Sequence, residues 1–375
     1  MAATATEKMA ADAAIANNTM SNPFGHIFRL SSFGESHGAA VGGVIDGYPA
    51  GLNIDLDFIQ AQLDRRRPGS TAMGTNRKEA DRVEILSGIF EGKSTGAPIA
   101  FLVRNSNQHS QDYDSLRNTF RPSHADYTYY SKYGIRDHRG GGRSSARETI
   151  ARVVAGAFAQ LALRELGISI EVFTTRIGGI AIDKDCVFDS QVAQGNELHC
   201  PDPAKAADMQ ALILRMKEEQ DSVGGLVHCL VKGVPAGWGE PHALKLQSLL
   251  AAAMLSIPAC KGFEYGSGSD ISLRGSQAND AFFMENGKVR TRTNHSGGIQ
   301  GGISNGEDIY FNLAFKPIAS ISREQESVNL QGENCQLLIK GRHDPCVLPR
   351  VLPVVEAMTA ITLLDAYLLS KTSHL

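Results

Sequence analysis

Positive charge is concentrated in residues 121–147, and this stretch carries the residue types best suited to chemistry. It holds six Lys or Arg residues against two Asp residues, a net charge of +4 in a chain whose net charge is −3. A loop region requires so many guanidinium groups only when an acidic partner binds there, because arginine matches the geometry of carboxylates and phosphates. The stretch therefore predicts an anion-binding site. Its basic residues are Arg121, Lys132, Arg136, Arg139, Arg143 and Arg147.

The same stretch contains the glycine run Gly140–Gly142 and the start of a predicted helix. Ser145 and Glu148 are spaced as a capping box. A glycine-rich loop that presents the positive end of a helix is a suitable anion site. The glycines alone are equally typical of a tight connection, and the pattern is neither a Walker A loop nor a GxGxxG loop. The helix is indicated by apolar residues on one face, at Ile150, Val153, Val154, Ala157, Phe158 and Leu161.

Two histidines and one carboxylate could handle protons at such a site: His37, His124 and Asp344. A histidine in a turn, as His37 is in GESHG, is usually only solvated, and Asp344 with Arg342 would ordinarily form a loop ion pair. No Cys or His group has metal-ligand spacing, so no metal site is predicted. GESHG is also not the GxSxG motif. Basic residues with acid and base groups indicate a lyase or transferase acting on a phosphorylated acid.

The elements that must position these residues indicate two similar halves. Residues 41–45 lead to GYPAG and a helix, and residues 223–227 lead to GVPAG and a helix over 243–255. Residues 95–101 resemble residues 305–311 in the same order. The match is short, and GxPAG is also a common way to leave a strand. Two fused halves with helices packed together and sheets outside would form an α+β sandwich.

Composition bounds the class of protein. The chain has 375 residues, 42% hydrophobic and 21% charged, which is typical of a globular protein, and no apolar run suggests a membrane span. Six cysteines without a CxxC pair, and no basic-then-apolar N-terminus, predict a reduced cytoplasmic protein. A pI near 6.4 disfavours a general nucleic-acid binder. Residues 1–21 are predicted to be a disordered tail, and residues 22–370 a single domain with halves of about 22–200 and 201–370.

Three long segments resemble the signature segments of the chorismate synthase family: GESHGAAVGGVIDGYP, GGGRSSARETIARVVAGAF and GRHDPCVLPRVLPVVEAM. RPSHADYTY and LDRRRPG match the same family, and the resemblance covers nearly all of residues 22–369 in order. It implies a β-α-β sandwich in which central helices lie between two antiparallel sheets, assembled as a homotetramer. This fold agrees with the two fused halves indicated by the repeat.

The resemblance also implies a reaction. Family members convert 5-enolpyruvylshikimate 3-phosphate into chorismate and phosphate by an anti-1,4-elimination, the last step of the shikimate pathway to aromatic amino acids. Reduced FMN is required although there is no net redox change, because an electron-rich flavin can stabilise charge or spin on the substrate ring and accept the hydrogen at N5. The resemblance leaves open whether NADPH reduces the flavin on this protein or a separate flavin reductase supplies it.

The resemblance assigns roles residue by residue. His37 would donate a proton to the departing phosphate, His124 would protonate or stabilise the reduced flavin, and Asp344 would relay the proton of flavin N5. Substrate contacts are implied for Ser36, Arg66, Arg121 and Arg147. Cofactor contacts are implied for Arg143, Ser144, Ser145, Ala259, Gly301, Lys316, Pro317, Ile318, Ala319, Ser320 and Arg342, the last of which would also contact the substrate.

Two positions depart from the family pattern. Ala72 stands where many relatives have a second arginine, so either Arg77 or another residue compensates or this loop binds more weakly. Pro258 replaces an asparagine of many bacterial members and removes one backbone donor beside the predicted flavin contact at Ala259.

Two other functions remain open at this point. A flavin-dependent oxidoreductase could hold FMN in the same loops, but it would need a nicotinamide site and the chain has no GxGxxG motif. A non-enzymatic module could bind nucleic acid or another anion through residues 121–147, but the interleaved aromatics expected of it are limited to a few tyrosines that equally suit a helix packing stripe. These are Tyr127, Tyr129, Tyr130 and Tyr133.

Overall fold

The computed structural model describes residues 23–69, 73–74, 80–105, 116–268, 270, 272–339 and 343–373. Four of the predictions fall outside these residues: the disordered tail, Ala72, its substitute Arg77, and the cofactor contact at Arg342. The helices are α1 (Leu56–Arg66), α2 (Asp126–Tyr133), α3 (Thr149–Arg164), α4 (Ser190–Gln194), α5 (Pro203–Glu218), α6 (Leu246–Leu255), α7 (Gly275–Ala278) and α8 (Leu348–Ser370).

Two five-stranded antiparallel sheets form the outer layers. The first has the order β1-β2-β3-β7-β4 and the second β11-β16-β10-β8-β9. Short antiparallel hairpins complete the list. The strands are β1 (Pro23–Phe24), β2 (Arg29–Phe33), β3 (Ala40–Asp46), β4 (Val83–Ile85), β5 (Ile89–Phe90), β6 (Lys93–Ser94), β7 (Ile99–Arg104), β8 (Ser169–Ile177), β9 (Ile180–Ala181), β10 (Gly225–Lys232), β11 (Cys260–Tyr265), β12 (Phe282–Glu285), β13 (Lys288–Thr291), β14 (Ile299–Gln300), β15 (Ile303–Ser304), β16 (Ile309–Phe315), β17 (Glu324–Val328) and β18 (Asn334–Leu338).

The central helices lie between the sheets. α3 packs against β2 and β3 of the first sheet, α8 packs against β8 and β10 of the second, and the two helices pack against each other. Gly156 permits this contact, because a Cβ at that position would lie 2.2 Å from Ala357 Cβ. Alternate residues of β7 and β16 are buried. This pattern is expected of antiparallel strands in a sheet that has helices packed on one face only. The predicted α+β sandwich with central helices between antiparallel sheets is confirmed.

The longest helix, α8, is long and apolar enough to cross a membrane by length and composition alone, but 89% of its most apolar window is buried inside the fold. Its packing against α3, α1 and the second sheet accounts for this composition. α8 is therefore the core helix of the sandwich.

The internal repeat is visible as one hydrogen-bonded junction that occurs twice. In the first half, Gly51 N donates to Ser94 O at 2.8 Å and Leu52 N donates to Ser94 Oγ at 3.0 Å. The Ser94 hydroxyl donates in turn to Pro49 O at 2.7 Å. The serine therefore fastens the PAG turn after β3 to the end of the β5–β6 hairpin.

The second half repeats each of these contacts. Gly237 N donates to Ser304 O and Trp238 N to Ser304 Oγ, both at 2.9 Å. The Ser304 hydroxyl donates to Pro235 O at 2.6 Å. The repeat in GxPAG is therefore structural. β8 and β9 precede residue 200 and belong to the second sheet; the division of the domain into halves at about residue 200 stays a prediction.

Candidate active site

A cavity of about 610 Å³ opens where the N-terminal ends of α3 and α8 meet. Small-molecule and cofactor sites typically have volumes of about 300–1,000 Å³. The walls also include residues 121–125, the end of α1, the turn after α6 and the segment after β16. Of the predicted site residues, the cavity brings together Arg66, Arg121, His124, Ser144, Ser145, Arg147, Ala259, Lys316, Pro317, Ile318, Ala319, Ser320 and Asp344.

Asp81 binds two of the predicted substrate arginines. Its Oδ2 lies 3.4 Å from Arg66 Nη1, and its Oδ1 accepts from Arg147 Nη2 at 3.0 Å. The Asp81 side chain has no exposed surface, and those of Arg66 and Arg147 are 3% and 7% exposed. A shared carboxylate lowers the cost of burying two guanidinium groups. One negative charge for two positive ones leaves a net positive charge at the cavity wall.

Arg350, on the first turn of α8, is a cavity residue to which sequence analysis assigned no role, although it lies within GRHDPCVLPRVLPVVEAM. Its Nη1 hydrogen-bonds Asp344, and its Nε donates to Arg66 O at 3.0 Å. Burial and repulsion from Arg350 lower the pKa of Arg66 to about 10, although Asp81 opposes the shift. Arg66 thus remains protonated at neutral pH. An anion bound beside the two guanidinium groups would relieve their repulsion.

A second buried carboxylate, Asp126 on the first turn of α2, binds Arg121. Its Oδ2 accepts from Arg121 Nε at 2.8 Å, and its Oδ1 accepts from Arg121 Nη2 at 2.9 Å. His124 Nδ1 lies 3.0 Å from the same Oδ1. Although burial raises the pKa of Asp126, hydrogen bonds from Arg121 and His124 lower it well below its usual range. The arginine and the histidine therefore share one ionised carboxylate.

His37 and Ser36 lie behind the cavity wall, each 5% exposed. Ser36 Oγ donates to Arg139 O at 3.2 Å and lies 3.2 Å from His37 Nδ1. Because the hydroxyl hydrogen is used for Arg139, the contact with His37 requires Nδ1–H to donate. In the neutral form of His37, the ring lone pair is then on Nε2.

The glycine run separates the two histidines. Gly140, Gly141 and Gly142 all have positive φ, at 65°, 88° and 54°, which favours glycine. A Cβ at Gly140 would lie 2.5 Å from His37 Cε1, and a Cβ at Gly141 would lie 2.9 Å from His124 Cε1. The run therefore lets one loop pack between both imidazoles, which is a tighter requirement than a flexible connection.

The start of α3 differs from the prediction. α3 begins at Thr149, and Ala146–Glu148 form a short 3₁₀ turn in front of it. Ser145 Oγ accepts from Arg147 N at 3.4 Å, whereas the Glu148 carboxylate binds Arg152. The predicted capping box is wrong, because Glu148 has a cationic partner one turn further along the helix.

Further residues of the cavity wall supply cations and an apolar surface. Lys261 and Lys316 both line the cavity, and burial, with repulsion from Lys261, lowers the pKa of Lys316. Lys316 N donates to Ala259 O at 3.0 Å, which joins the segment after β16 to the turn after α6. The apolar wall consists of Leu255, Ile257, Val347, Val351 and Val354.

Three residues with left-handed backbone lie at or beside the cavity: Asp81 (φ 42°), Ser123 (φ 56°) and Ala259 (φ 70°). Such conformations cost roughly 1–3 kcal/mol each in residues other than glycine and cluster at functional sites. Their position beside the arginines, His124 and Lys316 supports assignment of this cavity as the active site.

Two predicted cofactor contacts lie elsewhere. Arg143 donates to Ser32 O at 3.1 Å and also binds Ser32 Oγ. Gly301 lies in the exposed turn between β14 and β15. Among the described residues that line the cavity, neither Arg143 nor Gly301 appears.

Four charged residues of the site escaped sequence analysis: Asp81, Asp126, Arg350 and Lys261. The local sequence offers only weak indications of the two carboxylates: Asp126 follows Arg121 by five residues, and Asp81 precedes a strand. Their role arises from contacts across 66 residues of sequence for the Asp81–Arg147 pair. Sequence analysis assigned neither carboxylate a role, although Asp126 lies within the motif RPSHADYTY.

Comparison with known proteins gives a consistent result. A family model described as chorismate synthase matches residues 28–368. A chorismate synthase of Phocaeicola vulgatus is 59% identical over 95% of this chain and all of that protein, and one of Bacteroides thetaiotaomicron is 60% identical with the same coverage. A crystal structure titled chorismate synthase has 32% identity and a TM-score of 0.72, covering 92% of each chain.

Proposed function

The chain belongs to the chorismate synthase family, lyases of the last step of the shikimate pathway, and we propose that the cavity described above is where it eliminates phosphate from 5-enolpyruvylshikimate 3-phosphate to give chorismate. The observation that carries this proposal is the convergence of Arg66, Arg121 and Arg147 with His124 on one cavity. All three guanidinium groups are buried on ion-pair partners, so they are held in place before an anion arrives.

The cationic groups suit a substrate with a phosphate and two carboxylates. Charge-assisted hydrogen bonds from arginine to such anions are the strongest that neutral-pH proteins form. Arg66 and Arg147 share Asp81, and Arg350 lies against Arg66, so this side of the cavity carries excess positive charge. We assign it to the substrate.

The residues present also fit reduced FMN. The apolar wall from α6 and α8 suits a flat ring, and Lys261 and Lys316 suit a phosphate. Ser144, Ser145, Ala319 and Ser320 offer small side chains that permit close approach. When bound, reduced flavin supplies an electron-rich ring that stabilises the transient on the substrate.

We assign roles in proton transfer to three side chains. His124 presents its ring to the cavity and would protonate or stabilise the reduced cofactor. Asp344 accepts a hydrogen bond from Arg350 and would relay the proton of the reduced cofactor. His37, whose Nδ1 contacts Ser36, would donate a proton to the leaving phosphate from Nε2 while both of its ring nitrogens are protonated. It lies behind Gly140, a residue of the cavity wall.

We also propose a homotetramer, a cytoplasmic location and FMN reduction by NADPH on the protein or by a separate flavin reductase. Arg143 and Gly301 do not line the cavity of their own chain. A cofactor contact of either residue would therefore have to cross a subunit interface.

Anaerobic incubation with 5-enolpyruvylshikimate 3-phosphate and FMN tests the proposal, with FMN reduced by dithionite or by NADPH alone. Equimolar chorismate and phosphate with dithionite are expected, and product with NADPH alone would show an intrinsic reductase. Arg147→Ala should mainly raise the substrate KM, whereas Arg139→Ala, an exposed member of the basic stretch, should not. Consumption of NADPH without phosphate release would favour a flavin-dependent oxidoreductase instead.

A further inference from the structure

Asp126 is a buried carboxylate whose two oxygens are surrounded by cationic groups. It accepts from Arg121 N, Nε and Nη2 at 2.8–3.1 Å. It also lies 3.0 Å from His124 Nδ1 and 3.4 Å from Arg136 Nη1. Asp126 is 3% exposed and occupies the first turn of α2, where the helix dipole favours an anion. One carboxylate thus joins a cavity arginine to a cavity histidine.

The contact with His124 orients the imidazole. A carboxylate can only accept, and among the described residues no other group accepts from Nδ1, so the proton of the neutral ring belongs on Nδ1. His124 Nδ1 and Asp126 Oδ1 lie 3.0 Å apart, and their attraction grows when the ring is charged. Nε2 lies on the edge that faces the glycine run, 3.3 Å from where a Cβ of residue 141 would lie.

We propose that Asp126 is a positioning residue that couples anion binding at Arg121 to protonation of His124 at Nε2. A substrate anion on Arg121 neutralises the cation that opposes a charged imidazole, while Asp126 remains to stabilise it. A proton from solvent then binds the Nε2 lone pair, and Nδ1–H stays with Asp126. The inference rests on the proposed function, because it takes the substrate to be the anion that Arg121 binds.

The charges around His124 support this direction. Burial lowers the pKa of His124, Asp126 opposes the shift through its hydrogen bond and its charge, and the charges of Arg121 and Lys316 add to the lowering. Lys316 approaches from the segment after β16 and donates to Ser123 O at 2.8 Å. The glycine run, which packs on the other edge, carries no charge. The unliganded histidine is therefore neutral at pH 7, and an anion that cancels Arg121 or Lys316 raises its proton affinity.

A purely structural role for Asp126 would predict something different. Arg136 Nη2 donates to Leu116 O at 2.6 Å and to Thr119 O at 2.9 Å. These hydrogen bonds hold the segment around Asp126 without involving its carboxylate. If Asp126 only held the segment, its loss would lower stability without changing the tautomer of His124 or the effect of substrate on its titration.

NMR titration of histidine-labelled protein without FMN tests the coupling, with the His124 signal assigned from a His124→Gln variant and 5-enolpyruvylshikimate 3-phosphate as the probe. We expect saturation to raise the pKa of His124 by about one unit or more, a tenfold gain in proton affinity. Arg121→Gln should abolish the rise. Asp126→Asn should lower the starting pKa and populate both neutral tautomers. Asp137→Asn is the control, since it removes the same charge from a half-exposed pair with Arg139.

An unchanged His124 pKa in the saturated wild-type protein would overturn the coupling, and this measurement needs no variant to fold. Retention of a single Nδ1–H tautomer in folded Asp126→Asn would overturn the positioning role. Turnover with dithionite-reduced FMN on the same samples separates the two proposals: normal turnover with an unmoved titration refutes only the coupling, whereas absence of substrate binding refutes both.

Discussion

Buried carboxylates organise the cations of this site at the scale of single residues. Asp81 and Asp126 have fully or almost fully buried side chains, and between them they bind Arg66, Arg147 and Arg121. Without these partners, buried guanidinium groups would repel one another and lose hydration. The carboxylates therefore fix arginine geometry before substrate binds, which reduces the ordering cost of binding.

Asp81→Asn should lower the free energy of unfolding by roughly 3 kcal/mol. This is the lower end of the cost of unpairing a buried charge, because Ala146 O and Asn105 Oδ1 still accept from Arg66 and Arg147. Inorganic phosphate should recover part of the loss by binding the folded state. Urea unfolding with and without phosphate measures both effects.

The matched control is Asp64→Asn, whose carboxylate is 44% exposed and 3.6 Å from Arg67. It should change stability by less than about 1 kcal/mol, as exposed pairs do, and phosphate should add no more than it does to the wild type. Equal effects of the two substitutions would contradict a special role for Asp81.

His124→Ala should reduce turnover by roughly 10²–10⁴-fold, the usual loss when a general acid or base is removed, with the fold retained. Single-turnover kinetics with prereduced FMN, together with a fluorescence titration of FMN binding, checks this. His242→Ala removes an exposed histidine outside the cavity and should behave as wild type. Turnover within twofold of wild type in His124→Ala would exclude the histidine from proton transfer.

Two loops show how whole elements position side chains. The run Gly140–Gly142 packs between His37 and His124, and the loop over residues 293–297 is held by Asp280. The first loop owes its path to missing side chains and the second to one carboxylate. Each depends on interactions that a glycine count alone does not reveal.

Gly141→Ala should reduce turnover at least about tenfold, because its Cβ would displace His124 and lie 3.4 Å from Arg121 Nη2. Gly134→Ala is the matched control: its φ is 71° and a Cβ there meets nothing within 4 Å. Both substitutions should cost about 1–2 kcal/mol for the left-handed backbone. Thermal unfolding measures the stability cost that both variants share, and steady-state kinetics measures the loss of turnover expected only in Gly141→Ala. Equal turnover rates in the two variants would refute the displacement of His124.

Asp280 should make stability depend on pH in the acid range. Although burial raises its pKa, hydrogen bonds from Ser296, Thr293 and His295 N lower it to about 2. A lowered carboxyl pKa gives stability that is present above the ordinary value of 3.8 and is lost as pH falls through about 2. Asp280→Asn should lower the free energy of unfolding by roughly 1–3 kcal/mol at pH 7. It should also remove the dependence of that free energy on pH between about 2 and 3.8. The control Asp208→Asn, at an exposed position of α5, should leave this pH dependence unchanged.

At the scale of the whole molecule, the cavity joins residues that lie far apart in the sequence. Arg66, Arg121 and Arg147 meet Lys316 and Asp344 there. Their relative position depends on the contact between α3 and α8, the helices whose N-terminal ends form the cavity wall.

Gly156→Ala tests this contact. Alanine in a helix interior is ordinarily more stable than glycine by about 1 kcal/mol. Here it should be less stable by about 1–3 kcal/mol, the cost of overpacking, because the new Cβ would lie within 2.3 Å of Ala357 Cα. Chemical denaturation shows whether the substitution lowers or raises the free energy of unfolding. The control is Gln160→Ala, at a half-buried position of the same helix, which should show no such loss of stability. A stabilising Gly156→Ala would mean that the helices are not in close contact.

The sequence by itself determined the family and the α+β sandwich and indicated the repeat, and most of the site residues that it predicted line the cavity. Long motifs and the periodicities of strands and helices are local properties, so they can be recognised without knowledge of the fold. Gly140 of the glycine run lies in the cavity wall between Arg121 and Arg147 of the basic stretch, because backbone freedom and charge both follow directly from residue type.

Only the tertiary structure decided which residues share a charge and which face the cavity. Asp81 meets Arg147 across 66 positions, Arg350 meets Arg66 across 284, and Glu148 binds Arg152 in place of the expected cap. Arg143 turns toward Ser32, away from the role its motif indicated. The physical reason is that electrostatic partnership depends on distance in space, and burial makes a few such contacts strong enough to override local patterns.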